Sequence, residues 1–175
     1  MSKGLPSREQ AIELLHKNKC PKTVIDHCKA VADLSVEIAS KLQNKSFKVN
    51  LQLIEAGALL HDIGRARSHK VDHGLIGAKI IEAEGLPKEV ANIVMRHVGG
   101  GISSEEASQF GWPKEDYMPQ TIEEKVISYA DKRIDKDKRV PIDLEIKRLN
   151  VEHKEAAERV RKLHEEITDL LGIEP

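Results

Sequence analysis

The sequence predicts an all-α fold in a single domain, residues 1–175. Apolar residues recur at helical spacings of three and four along most of the chain. Helix start and stop signals punctuate these stretches, and no segment alternates convincingly as a half-buried strand does. No repeat or low-complexity linker divides the chain, so we expect a core over about 20–140 and a C-terminal helical region over 141–172.

A capping box and a proline open the first two predicted helices. Ser7 with Gln10 predicts a helix over about 7–18, because each side chain can bond the backbone N–H of the other. Pro21 suits the first turn of a second helix. The apolar seam of this second helix is Val24, Val31, Leu34, Ile38 and Leu42.

Shorter helices follow at 51–61, 73–84 and 87–97, the first two with Asn50 and Asp72 as candidate N-caps. Three glycines at 99–101 then break the pattern. The remaining predicted stretches are a short helix at 104–110, a helix from Thr121 to about Asp135 opened by a capping box with Glu124, and a helical region over 141–171 that can break at Asn150.

Composition excludes several classes of function. A formal net charge of -1 and 3% aromatic residues leave neither a basic field nor a stacking platform, so we expect no stable nucleic-acid binding. Two cysteines without a framework and an N-terminus without an apolar core predict a cytoplasmic protein with neither disulfides nor a signal peptide. No apolar run approaches the roughly 18 residues of a membrane span.

Residues that can bind metal interrupt the apolar seams of five predicted helices. Taken singly, each could be a hydrogen-bonded core residue or a helix end, but together they predict a divalent metal site. Imidazole and carboxylate suit Mn, Fe, Co, Ni or Zn, and Mg fits so many nitrogens less well. No thiolate is placed among them, which excludes a cysteine-type structural zinc. The six residues are His27, His61, Asp62, His73, His97 and Asp131.

The order of these residues resembles the H…HD…D pattern of the HD-domain metal-dependent phosphohydrolases, and HDIG at 61–64 is the form of one large branch. The resemblance covers about 20–140 and implies an all-α helical bundle with a central metal site. It also implies a first ion held by His27, His61, Asp62 and Asp131, and a second held by Asp62, His73 and His97.

The chain departs from some branches of this family. Arg65 stands where a lysine often follows HDIG, which keeps the charge and adds a fork suited to phosphate. Val98 follows His97, so the doubled histidine of the cyclic-di-GMP enzymes is absent, as is their GYP signature. The HDxxED signature of the alarmone hydrolases is absent too.

We therefore expect a phosphohydrolase in which hydroxide activated by two divalent ions attacks the phosphorus of a nucleotide or related phosphate ester. Asp62, as the bridging carboxylate and proton acceptor, and Arg65, as a phosphate clamp, are the predicted catalytic residues. Further candidates for substrate contact, each with a surface role as the alternative, are His69, Arg96, Lys132 and Arg133.

Two other functions stay open at this point. A catalytically silent HD domain would bind nucleotide or metal as a sensor, although no ligand position is missing here. A di-iron HD oxygenase would use the same ligands, although HDIG followed by a basic residue favours phosphate. The sequence leaves the choice of monoester or diester, the metal and the substrate undetermined. The C-terminal helix either covers the core or joins a homodimer, and too few heptads support a coiled coil.

Overall fold

Helices form nearly all of the regular structure, which confirms the predicted all-α class. The structure is a computed structural model that describes residues 4–173 and 175. Residues 1–3 and 174 belong to the domain predicted over 1–175 but lie outside the described residues. The helices are α1 Arg8–Lys17, α2 Lys22–Asn44, α3 Leu51–Leu60, α4 His73–Ala83, α5 Lys88–Arg96, α6 Ser104–Gln109, α7 Ile122–Lys132, α8 Ile142–Glu152 and α9 Lys154–Leu171, with 3-10 turns at Ile63–Ala66 and Val98–Gly100.

Helix α2 lies at the centre and packs against α3 and α7, while α3 also contacts α1 and α5. The predicted apolar seam of α2 is buried along its whole length, from Val24 to Leu42. Helix α9 buries Val160, Leu163 and Ile167 and packs on α7 and α8. It therefore covers the core, as one of the two predicted alternatives requires, and its role in a homodimer stays a prediction.

Two of the predicted caps form as expected. Ser7 and Gln10 bond each other's backbone N–H groups, and the Asn50 side chain accepts from the Leu53 backbone N–H at 3.1 Å. Asp72 makes no side-chain cap, which corrects the prediction. Its carboxylate instead accepts from the Ser68 hydroxyl at 2.5 Å.

The second predicted capping box forms only in part. Thr121 Oγ1 accepts from the Glu124 backbone N–H at 3.2 Å. The Glu124 carboxylate turns away and binds Arg96 Nη1 at 2.9 and 3.1 Å and the Gln120 backbone N–H at 2.7 Å. A buried ion pair between α5 and α7 thus replaces the reciprocal bond, because Arg96 lies within reach across the helix interface.

The region after α7 differs from the prediction. Helix α7 ends at Lys132, and a short antiparallel hairpin follows, with strand β1 at Ile134–Asp135 and strand β2 at Lys138–Arg139. The prediction that the chain contains no strand is therefore wrong. Two-residue strands carry no detectable alternation, and the turn residue Lys136 adopts φ +58° without the usual glycine or asparagine. The later helix break falls at His153, with φ −142°, and not at Asn150.

The 3-10 turn at Ile63–Ala66 packs directly on α4. A Cβ on Gly64 would lie 1.9 Å from the His73 carbonyl oxygen and 2.8 Å from the Gly77 backbone nitrogen. Because both neighbours are backbone atoms, no side-chain movement can make room. Glycine at this position therefore lets the end of α3 approach the start of α4.

Both cysteines are buried and free, as predicted for a chain without a disulfide framework. Burial raises the pKa of Cys20 to about 11, which keeps this thiol protonated at neutral pH. Among the residues that the structure describes, no helix combines the length and the apolar character needed to cross a membrane.

Glu124→Gln should lower the free energy of unfolding by about 3 kcal/mol, because it leaves the largely buried Arg96 guanidinium without its counter-charge. Urea unfolding followed by circular dichroism measures this change. Glu158→Gln removes the partner of Arg161 in an exposed pair and is the matched control, with an expected loss below about 1 kcal/mol. Equal effects in both variants would contradict the structural role of the buried pair.

Gly64→Ala should lower the free energy of unfolding by about 3 kcal/mol, since the new methyl group meets backbone on both sides. Gly4→Ala is the control, because nothing lies within 4 Å of its Cβ position. Thermal melts of the two variants and the unmodified protein measure the loss of stability. A Gly64→Ala protein as stable as Gly4→Ala would show that the turn can move away from α4.

Candidate metal centre and substrate cleft

Six helices and turns bring the six predicted metal-binding residues together. His27 lies within α2, His61 follows α3, and Asp62 precedes the 3-10 turn. His73 begins α4, His97 follows α5, and Asp131 lies in the last turn of α7. All except His27 and Asp131 are buried, and the side chains of these two are only 15% and 11% exposed.

The four histidines share one hydrogen-bonding pattern. Each Nδ1 lies 2.6–2.8 Å from a backbone carbonyl oxygen, so each Nδ1 carries a proton and donates it. A neutral imidazole protonated at Nδ1 presents a lone pair at Nε2. The carbonyl groups thus fix the tautomer that a metal ligand needs. The four pairs are His27 with Lys136, His61 with Ala58, His73 with Lys70, and His97 with Val94.

Three acceptor atoms face one another around Asp62. His73 Nε2 and His97 Nε2 are 3.1 Å apart, and Asp62 Oδ1 lies 3.1 and 3.3 Å from them. Burial lowers the pKa of His97 to about 4, so its ring is neutral at pH 7. Lone pairs at this spacing repel one another unless a cation lies between them. Asp62 Oδ1 is buried and makes no hydrogen bond, which fits the same conclusion.

A second group of acceptors surrounds Asp131. Its Oδ1 lies 3.0 Å from His27 Nε2 and 3.4 Å from His61 Nε2, and the buried His61 Nε2 makes no hydrogen bond. Burial would raise the pKa of Asp131, but the Lys132 ammonium and the two histidines outweigh it and hold that pKa well below its usual range. The carboxylate is therefore ionised, as a metal ligand must be.

The two groups meet at His61 and Asp62. The ligand atoms of His27, His61 and Asp131 all lie within 4.8 Å of one another, and those of His61, Asp62 and His97 do so as well. His61 Nε2 and Asp62 Oδ2 are 3.9 Å apart. The chain therefore carries histidine and aspartate groups positioned to bind divalent metal.

A cleft of about 530 Å³ opens beside these groups, between the start of α2, the hairpin and α8. His27, Asp62 and Asp131 reach it, whereas the other three histidines are not among the described residues that line it. Arg65 and Lys132 also line it. Arg65 Nε donates to Asp62 Oδ2 at 2.7 Å, and Lys132 Nζ donates to Asp131 Oδ2 at 2.7 Å.

The predicted substrate contacts divide into two sets. Arg65 and Lys132 line the cleft, as expected for such contacts. His69 is exposed on the loop before α4 and is not among the described lining residues. Arg96 is held by Glu124, as described above, and is absent from the same lining. The interhelical ion pair gives Arg96 a partner outside this cleft, and its substrate contact stays a prediction.

The Arg133 side chain also makes its hydrogen bonds within the protein. Its Nε donates to the Val140 carbonyl at 2.9 Å, and its Nη1 donates to the Tyr129 hydroxyl at 2.9 Å and to Pro175 O at 2.8 Å. These bonds connect α7 to the hairpin and the C-terminus and give Arg133 a structural role, while its substrate contact stays a prediction. Spacing along one helix shows which face a residue occupies, but it cannot show the partners that another segment provides.

Two cations in the cleft escaped the sequence analysis. Lys136 lines the cleft from the hairpin turn, and Arg148 lines it from α8, where it pairs with Glu145 at 3.0 Å. No sequence signal could have found them, because their position depends on an unpredicted hairpin and on how α8 packs. The described lining contains no aromatic ring besides the His27 imidazole.

Two curated relatives match nearly the whole of this chain. An uncharacterized protein of Methanocaldococcus jannaschii is 42% identical over 167 residues, which cover 93% of this chain and 98% of that protein. A tRNA (cytidine(56)-2'-O)-methyltransferase of Thermoplasma volcanium is 37% identical over 171 residues, which cover 97% of this chain and 49% of that enzyme. The chain therefore spans about half the length of that methyltransferase.

One similar solved structure is the HD domain of the phosphodiesterase PgpH from L. monocytogenes in complex with cyclic-di-AMP. It has a TM-score of 0.57 and 19% identity, and the match covers 91% of this chain and 96% of that one. This likeness concerns the fold. The family model of the HD domain matches residues 24–134, a range that contains all six candidate ligands. The chain belongs to the HD-domain family.

Proposed function

We propose that this chain is a metal-dependent phosphohydrolase that acts on a nucleotide or a related phosphate ester. The observation that carries the proposal is the convergence of histidine Nε2 and carboxylate atoms beside a cleft that Arg65 and Lys132 line. Metal ligands beside two fixed cations suit a phosphoryl group, which is anionic throughout its hydrolysis. Membership of the HD-domain family supports the same reaction class.

The donor set fits two divalent ions. In the proposal, His27, His61, Asp62 and Asp131 hold one ion, and Asp62, His73 and His97 hold the other. Nitrogen and oxygen donors favour Mn, Fe, Co, Ni or Zn over Mg. When bound, two such ions lower the pKa of a water molecule and neutralise charge on the phosphoryl group.

Asp62 has the geometry that a bridging carboxylate requires. Its Oδ1 faces His73 and His97, while its Oδ2 faces Arg65 and lies nearer to His61. Its pKa lies well below the usual range, because the surrounding histidines outweigh the effect of burial. It therefore stays ionised at neutral pH, and its role as a proton acceptor stays a prediction.

In the proposal, Arg65 and Lys132 bind phosphate oxygens, and their position in the lining of the cleft supports this role. The bond from Arg65 Nε to Asp62 fixes the guanidinium, and the side chain is 31% exposed toward solvent. Burial opposes the charge on Lys132, but the adjacent Asp131 outweighs it and raises the pKa of Lys132, so the ammonium persists. Charged donors held in position in this way bind phosphate at little cost in entropy.

A nucleotide is the substrate class that we favour. The PgpH domain is described in complex with cyclic-di-AMP, and a cleft of about 530 Å³ lies within the usual range for small-molecule sites, about 300–1,000 Å³. With no aromatic ring other than the His27 imidazole in the described lining, we expect polar groups rather than stacking to hold the base.

A phosphate group on tRNA is the second candidate substrate. The Thermoplasma volcanium relative carries a segment matching 97% of this chain within a tRNA-modifying enzyme, which favours a substrate of this kind. Hydrolysis of a terminal or 2'-phosphate of tRNA would use the same metal ligands and cations. Methyl transfer is not part of the proposal, because metal ligands and phosphate-binding cations are the groups that hydrolysis needs.

A substrate screen tests the function directly. Nucleoside monophosphates, dinucleoside polyphosphates, cyclic dinucleotides and phosphorylated tRNA are incubated with the protein under Mn²⁺ or Co²⁺, and products are separated by chromatography. We expect turnover of at least one class, abolished in Asp131→Asn. Nucleotide binding without turnover would favour the silent sensor, and O₂ consumption by an iron-loaded protein would favour the oxygenase.

Protein purified without chelator or affinity tag should contain close to two divalent ions per chain by elemental analysis. Asp62→Ala should lose them, since the proposed bridging carboxylate contacts both positions. One ion per chain would assign His73 and His97 to other roles. A protein without metal, even after reconstitution, would contradict the proposal.

Arg65→Ala should lower kcat/KM by about 10- to 100-fold, the loss expected when one charge-assisted hydrogen bond to a phosphate is removed. Metal content should be unchanged, because Arg65 supplies no ligand atom. Arg65→Lys should restore part of the activity. Steady-state kinetics with the best substrate of the screen, beside elemental analysis, provides the measurement, and loss of metal would make Arg65 a structural residue instead.

A further inference from the structure

The four histidines of the metal centre differ in where the acceptor for Nδ1 comes from. His61, His73 and His97 each donate to the carbonyl three residues earlier in the chain. His27 donates to the carbonyl of Lys136, which lies 109 residues later, at 2.8 Å. Three rings are thus oriented by local structure, and one is oriented by a separate element.

The position of His27 in its helix explains the difference. The other three histidines lie at the first residue of a helix or just after its last residue, where nearby carbonyls are not all used by the helix. His27 lies inside α2, where the neighbouring carbonyls accept backbone N–H groups. Its ring therefore needs an acceptor from outside the helix, and the hairpin supplies it.

The hairpin β1–β2 is anchored mainly at its base. Ile134 is buried, and next to it the Val140 backbone N–H donates to the Arg133 carbonyl at 2.8 Å. Arg139 binds Glu37 of α2 at 2.5 Å. Residues 135–139 are otherwise exposed, so the bond between Lys136 and His27 is what joins the tip to the metal centre.

The turn presents the Lys136 carbonyl through a left-handed backbone. Lys136 has φ +58°, a conformation that glycine adopts freely and that proline cannot adopt. Asp135, Lys136 and Asp137 also line the cleft. The hairpin therefore contacts a histidine of the metal centre through Lys136 and also borders the space in which a ligand would sit.

We propose that the hairpin Ile134–Arg139 positions His27 through the Lys136 carbonyl and thereby sets the metal affinity of the His27–His61–Asp131 group separately from that of the group around His73 and His97. The inference deepens the proposed function, since it rests on the same metal centre, but it does not depend on turnover. Lys136 is thus a positioning residue that acts through its main chain.

Imidazole ¹H–¹⁵N NMR of the metal-free protein tests the positioning directly. Lys136→Pro must distort the turn, whereas Lys136→Gly keeps it, so the two form a matched pair. We expect His27 to lose its fixed Nδ1–H tautomer in Lys136→Pro only, with His61, His73 and His97 unchanged. An unaltered His27 signal in Lys136→Pro would overturn the proposal.

Titration with Mn²⁺ tests the consequence for affinity. Loss of an orienting partner of a ligand typically costs about 10- to 100-fold in metal affinity. Lys136→Pro should weaken one of the two binding events to this extent and leave the other unchanged, whereas His73→Ala should affect the opposite event. Glu37→Ala, which releases Arg139, should act in the same direction as Lys136→Pro, and Arg161→Ala is the control for loss of a surface ion pair.

The possible failures are distinguishable. Equal weakening of both events, or of neither, in a Lys136→Pro protein that melts like the unmodified one would overturn this inference alone. A wild-type protein that binds no Mn²⁺ would overturn the proposed metal centre together with it. A protein that binds two ions and hydrolyses nothing would overturn the proposed function and leave the role of the hairpin intact.

Discussion

Acceptor atoms that face one another without donors between them are the constraint on which this structure depends. His73 Nε2, His97 Nε2 and Asp62 Oδ1 lie within 3.3 Å of one another in a buried site, and backbone carbonyls accept the Nδ1 protons of both rings. An arrangement of this kind opposes folding unless a positive charge enters it. The helices, caps and turns around it can be understood as the means of holding such a cluster together.

The scaffold meets this constraint with short elements and helix ends. A histidine at the end of a helix can reach a nearby carbonyl that orients its ring, and three of the four histidines use the carbonyl three residues earlier. Gly64 lets the turn after Asp62 press on the backbone of α4, which sets Asp62 beside His73. Contacts with nearby backbone atoms thus position most of the candidate ligands.

The sequence predicted the helices and the inward position of the six candidate ligands, because helical spacing indicates that His27, His97 and Asp131 face the core. It was insufficient where the partner of a side chain comes from elsewhere in the chain. The partners of Arg96, Glu124 and Arg133 could not be predicted for this reason, since the ion pair of the first two and the bond from Arg133 to Pro175 join distant segments. The hairpin could not be predicted from the sequence, because strands of two residues show no periodicity and the turn between them lacks glycine.

The buried cluster of acceptors has a consequence for the lifetime of the protein in a cell. Any ion that binds only the folded state adds RT ln(1 + [L]/Kd) to stability, about 2.7 kcal/mol when its concentration is one hundred times Kd. Domains of this size are stable by only about 5–15 kcal/mol, so that increment changes the unfolded population roughly a hundredfold. The supply of divalent metal would then govern how much of the chain escapes proteolysis, and scarcity of metal would remove the protein itself as well as its activity.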